Sequence, residues 1–145
     1  TYNTDKYQED QISWWDACDV ISSSGYYPWD DWDRQLTRIE GVVRKYDKPF
    51  FFAEAGCPAV AGAANVPNDW SRKGAYDPEE QDKYYRSMFA ACERYPFVKG
   101  YGLWDWPLDL ESAGTEAYKR SYHIYGTQAE KTIRRYFDKR AAASQ

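Results

Sequence analysis

The sequence predicts a parallel α/β fold: four strand–helix units, which amount to half of an eight-stranded (β/α)8 barrel. Three observations predict it. Short apolar runs alternate with stretches of helical periodicity along the chain. The run Lys48-Pro49-Phe50-Phe51-Phe52-Ala53-Glu54-Ala55-Gly56-Cys57 shows no polar alternation before its acidic end, which suits a parallel strand covered on both faces. The 145 residues suffice for one domain and one core, and no internal repeat or linker divides them.

The elements follow in order. Tyr2 and Asn3 read as the tail of a strand. A short helix follows over Asp10 to Ala17, with Asp10 as its cap. Val20 and Ile21 start a strand that Gly25-Tyr26-Tyr27-Pro28 ends. Leu36, Ile39, Val42 and Val43 lie three or four apart and give a helix over Trp32 to Tyr46 one apolar face, with Asp30 or Asp31 to cap it. Pro49 then opens the Glu54 strand. A long loop from Cys57 to Tyr76 reads as a functional rim. Pro78 starts a helix running to about Tyr95, with Glu79 and Glu80 at the positive end of its dipole. Phe97 to Trp104 is the fourth strand, and it opens into Asp105-Trp106-Pro107. A second loop covers Leu108 to Ile124. The last helix spans about Gln128 to Arg140, with Ala129, Ile133, Tyr136 and Phe137 on its inner face, and Ala141 to Gln145 should fray.

Composition narrows the function. Net charge is -4 with both signs interspersed, so no basic stripe suggests nucleic acid or a lipid surface. No apolar run approaches a membrane span, and the opening residues are not expected to act as a leader. Cys18, Cys57 and Cys92 are odd in number and lack metal spacing. They read as free, mostly buried thiols, which leans toward a reducing, cytoplasmic setting. With His123 as the one histidine, neither a histidine-based metal site nor a Ser-His triad is expected, and no cofactor is implied. Aromatic residues reach 19%, with seven Trp and 14 Tyr. Trp29, Trp32, Trp70, Trp104 and Trp106 sit beside Asp, Pro or Gly in expected loops, where flat rings can stack on sugar faces. An aromatic core or a protein interface would use the same residues.

Glu54 is the focus. A carboxylate at the C-terminal end of a parallel strand lies where α/β enzymes gather their chemistry. Read alone, it could equally be a strand whose first loop residue happens to be acidic.

Together, Gly25-Tyr26-Tyr27-Pro28, the Lys48 to Gly56 run, Gly100-Tyr101-Gly102-Leu103-Trp104-Asp105-Trp106 and Tyr125-Gly126-Thr127-Gln128-Ala129-Glu130-Lys131 resemble strands five to eight of a retaining glycoside hydrolase of the large (β/α)8 clan. The β-mannanase-like and β-xylanase-like members are the most similar. The resemblance implies Glu54 as nucleophile, and Tyr26 or Tyr27 as its hydrogen-bond partner. It implies Trp104, or secondarily Trp106, as the floor of the subsite where the bond is cut. Tyr27, Trp70 and Asp105 are expected to contact substrate as well, Asp105 as a hydroxyl acceptor or else as a loop or cap residue. The chemistry agrees. Retention needs a nucleophile and an acid about 5–5.5 Å apart, and a donor facing the nucleophile keeps its pKa low.

The clan's acid/base Glu, usually preceded by Asn at the end of the fourth strand, has no match here. Asp30 and Asp31 read as helix caps, and Glu40, Glu79, Glu80 and Glu93 as solvated helix positions. The chain is therefore expected to supply part of a hydrolase acting on a β-linked mannan- or xylan-type polysaccharide or oligosaccharide, and to be inactive alone. Its expected partners are the glycan and a missing N-terminal half-barrel, in the same polypeptide or a separate chain, or else a second copy of itself. A non-catalytic carbohydrate-binding module with aromatic loops, or a small open α/β sheet, would share these features.

Overall fold

A computed structural model describes residues 2–110 and 115–143. Four strands, β1 (Tyr2–Thr4), β2 (Ile21–Ser24), β3 (Phe50–Ala55) and β4 (Val98–Leu103), form one parallel sheet in the order β1-β2-β3-β4. Sequential parallel order with helical crossovers is that of half a (β/α)8 barrel. The helices are α1 (Trp32–Tyr46), α2 (Pro78–Cys92), α3 (Glu116–Lys119) and α4 (Gln128–Ala143).

Several elements form where the pattern places them. α1 buries Leu36, Ile39 and Val42 on one face. It stops at Asp47, whose left-handed backbone (φ 51) lets its N–H bond Val43 O at 2.9 Å. α2 starts at Pro78, and the Asp77 side chain accepts from the Glu79 N–H at 3.2 Å. α4 packs on α2 through Phe89 and Tyr136, stacked at 4.0 Å and 13°.

Other expectations are corrected. The stretch from Asp10 to Ala17 forms two 3-10 turns, Glu9–Gln11 and Trp15–Ala17, rather than a helix, and Asp10 pairs with Arg38 at 2.6 Å instead of capping. Asp31 sits at the α1 N-cap, but its carboxylate is taken by Arg34 and Gln35. Trp32 is not a loop residue. It is buried in the first turn of α1, edge-on to Phe52. Glu80 is not solvated: it accepts from the Ala64 N–H at 2.9 Å and pairs with Lys83 at 2.7 Å. On α4, Phe137 is exposed, whereas Thr132 is buried and donates to Asp82 at 2.5 Å. The second loop contains α3, and its residues 111–114 lie outside the described residues, as do 144 and 145 of the expected frayed end.

The core lies between the sheet and α1 and α2. Phe50 and Phe52 enter it from β3, edge to face at 4.9 Å. Phe51 and Ala53, on the opposite side of β3, are only partly buried. Beneath the loop after β1, Glu9 is fully buried. Its carboxylate accepts from the Tyr27 hydroxyl and pairs with Arg38 at 2.5 Å.

Candidate active site

β3 carries Glu54 to the C-terminal edge of the sheet. Strict alternation from Phe50 and Phe52 would send Glu54 into the helix-packed layer with them. The register against β2 shifts instead: Ser23 pairs with Phe52 and Ser24 with Glu54. The burial pattern breaks at the same place, leaving both Ala53 and Glu54 partly accessible. A register irregularity here re-aims the side chain, a use of bulges common beside active sites. The main chain locks the result, since the Gly25 N–H bonds Glu54 O at 2.6 Å.

That lock puts Tyr26 beside the carboxylate. The Tyr26 hydroxyl donates to Glu54 Oε2 at 3.1 Å. Burial, and then the neighbouring Glu54 charge, push the Tyr26 pKa well above the ordinary tyrosine value. Tyr26 therefore keeps its proton and stands as a fixed hydrogen-bond donor to the carboxylate. No Lys or Arg among the described residues pairs with Glu54.

Trp104 follows β4, and its N–H bonds Ala55 O at 2.8 Å. The approach depends on Gly56. A Cβ there would stand 2.1 Å from Trp104 O, a contact no side chain survives. Trp104 is 41% exposed and meets Trp70 edge-on at 6.2 Å. Trp70 in turn stacks on Tyr122 at 4.2 Å and meets Tyr26 edge-on at 6.1 Å. The structure thus gathers Glu54, Tyr26, Trp104 and Trp70 at one edge of the sheet. The long loop after β3 supplies Trp70 and Tyr122 anchors it, its hydroxyl bonded to Pro67 O at 2.6 Å.

Two expected residues do not join. Tyr27 is fully buried, points to Glu9 and packs edge-on against Trp32, so it offers no surface to a ligand. Adjacent residues at a strand end face opposite ways, and the alternative Tyr26 took the site. Trp106 is exposed but pairs with Tyr125 at 5.4 Å, away from the Trp70–Trp104 contact. Asp105 lies at the mouth of the site, with Oδ1 2.7 Å from His123 Nδ1, at ion-pair distance but out of hydrogen-bond alignment.

A cavity of about 360 Å3 opens beside Trp104, lined among others by Trp70, Arg72, Asp105, Tyr122 and His123. No cluster of three or more His, Cys, Asp or Glu among the described residues could hold a metal ion.

Sequence reasoning missed the residues that brace the site from behind. The Tyr84 hydroxyl donates to Gly25 O at 2.5 Å, and the Tyr85 hydroxyl to Trp104 O at 3.2 Å. Consecutive tyrosines on α2 therefore hold the two strand ends that flank Glu54. Gln81, one turn earlier, donates to Cys57 O at 3.0 Å and Tyr122 O at 3.2 Å. Polar groups on the buried face of a helix were the available signal, because such groups need partners.

The profile of Glycoside Hydrolase Family 113 matches residues 1–127. The chain belongs to family 113. Among solved structures, a GH113 β-1,4-mannanase is 51% identical, with a TM-score of 0.86 over 94% of this chain and 44% of its own. The GH113 β-mannanase of Alicyclobacillus acidocaldarius, in complex with ManMIm, is 41% identical with a TM-score of 0.85 over the same shares. This family 113 chain thus spans 44% of the length of the mannanases it matches. A β-D-glucuronidase of Dictyoglomus thermophilum, 16% identical with a TM-score of 0.64 over 92% of this chain and 25% of its own, shares the fold. No curated protein sequence matches the chain.

Proposed function

We propose that this chain is the C-terminal, nucleophile-bearing half of a retaining β-mannanase, organised as a single domain. The observation that carries the reading is the Tyr26–Glu54 hydrogen bond at the C-terminal edge of the sheet, beside Trp104. In this reading, Glu54 attacks the anomeric carbon of a mannosyl unit. A glycosyl ester forms as the bond to the leaving oxygen breaks. The acid that protonates that oxygen, and later takes a proton from water, comes from outside the chain. Tyr26 holds one carboxylate oxygen and leaves the other to attack. Trp104 presents its ring to the sugar, where a developing oxocarbenium gains from an aromatic face. Trp70 widens that platform.

The sheet ends at β1 and β4, whose outer edges pair with no further strand among the described residues. Closing the ring is the role of a first half-barrel, carried upstream, on a separate chain, or supplied by a second copy. A second copy brings another Glu54 rather than an acid/base from a fourth strand, so only the first two restore hydrolysis.

A 2-deoxy-2-fluoromannoside with a good leaving group tests the reading in the completed barrel. Mass spectrometry of the digest should place the covalent sugar on the peptide containing Glu54, and Glu54→Ala should abolish it while manno-oligosaccharides still bind. Trapping that survives the substitution ends the nucleophile assignment. Binding without trapping in the unsubstituted protein favours the carbohydrate-binding module.

A further inference from the structure

His123 is held from three directions. Its ring stacks on Tyr118 at 4.4 Å and 20°. Nδ1 faces Oδ1 of Asp105 at 2.7 Å, and both atoms are sealed from solvent with no other partner. Its backbone N–H bonds Ser121 Oγ at 3.1 Å, and its carbonyl accepts from Gln81 at 3.3 Å. Asp105 is pinned as well, its N–H on Tyr122 O at 3.1 Å and its carbonyl on the Ile124 N–H at 3.0 Å. Such an imidazole is oriented rather than free. With Nδ1 turned to the carboxylate, Nε2 is the ring nitrogen left to a ligand. His123 lines the cavity beside Trp104, and a neighbouring one shared with Tyr118 and Tyr125.

That cavity has the character of a sugar position. Its volume of about 360 Å3 falls within the small-molecule range. Trp70 and Trp104 give it aromatic walls, and Arg72 and Ser121 bring polar groups to its lining. Glu54 does not line it, but Trp104 borders it while hydrogen-bonding to Ala55, the neighbour of Glu54. A sugar seated here is a neighbour in the glycan of the one under attack.

We propose that His123, oriented by Asp105, reads a hydroxyl of this second sugar and so makes the enzyme favour a chain over a single mannosyl unit. The proposal rests on the mannanase reading above. Here His123 is the ligand contact and Asp105 the positioning residue.

The test compares, in the completed barrel, kcat/KM for an aryl mannoside and for an aryl manno-oligoside, in the unsubstituted protein, His123→Phe and His123→Gln. Phe keeps a ring against Tyr118 but deletes hydrogen bonding. Gln restores a donor and an acceptor. His123→Phe should lower the preference for the longer substrate roughly tenfold, through KM, as expected for one lost hydrogen bond. His123→Gln should regain part of it. An undiminished preference in His123→Phe overturns the proposal. An equal loss in both variants also overturns it, because the ring's shape would then matter rather than its hydrogen bond. Trapping of the fluoromannoside on Glu54 is measured alongside. If the unsubstituted protein fails to trap, the fault lies in the nucleophile reading and not in His123.

Discussion

Tyr26 donates its hydroxyl to Glu54 across 3.1 Å, from one strand end to the next, over a separation of 28 residues. A donor on a carboxylate stabilises its charged form, and in the proposed function Glu54 has to be charged to attack.

Tyr26→Phe removes the donor that holds one oxygen of Glu54. A hydrogen bond to a charged group contributes about 1.5–3 kcal/mol, so the rate of trapping should fall roughly ten- to hundredfold at neutral pH. An unchanged trapping rate would mean that Tyr26 does not position the carboxylate.

Trp104→Ala deletes an exposed ring beside Glu54. Manno-oligosaccharide affinity should weaken roughly fivefold to tenfold, in keeping with about 1 kcal/mol for a ring-face contact. Calorimetric titration reads it directly. Unchanged affinity would assign the ring to a structural role.

Tyr84→Phe leaves the carbonyl of Gly25 buried without its partner. Unfolding in urea should show a loss of about 1–3 kcal/mol. Since the lost contact also steadies the strand end carrying Tyr26, trapping on Glu54 should slow in the same variant.

Arg38→Met strands the Glu9 carboxylate, which is fully buried and leans on Arg38 and Tyr27. Breaking a buried pair by removing one partner costs about 3–5 kcal/mol. The double variant Arg38→Met with Glu9→Gln should recover part of that loss in the same urea experiment, because no unpaired charge remains.

High pH should unfold the chain. Burial raises the pKa of Tyr26, Tyr27, Tyr84, Tyr85, Tyr101 and Tyr122 above the ordinary value of 10.0. In the unfolded chain these groups ionise near 10.0 while the folded ones stay protonated. Their contribution is complete below that pH and is lost as pH climbs beyond it. Ultraviolet titration should show them ionising late and together with the loss of the fold. Smooth titration of all 14 tyrosines near pH 10 in folded protein would contradict this.

Much of this molecule was legible one element at a time. α1 forms over the residues its apolar spacing marks, and β3 lies between Pro49 and Gly56 as its composition requires. The aromatic loops were legible as a group, but their members were not. Trp32 and Tyr27 went into the core, whereas Trp70 and Trp104 came to the rim. Burial of a ring depends on what lies across from it, and neighbours in sequence do not report that.

The order of strands and helices, and Glu54 at the end of a buried strand, follow from periodicity and from where proline and glycine can sit. Those are local properties, so the sequence by itself determined them. Tertiary structure alone decided that a register shift turns Glu54 out of the helix-packed layer, that Tyr26 and not Tyr27 meets it, and that His123 reaches Asp105. These outcomes join residues 18 to 30 positions apart through backbone contacts and packing, which no local pattern encodes.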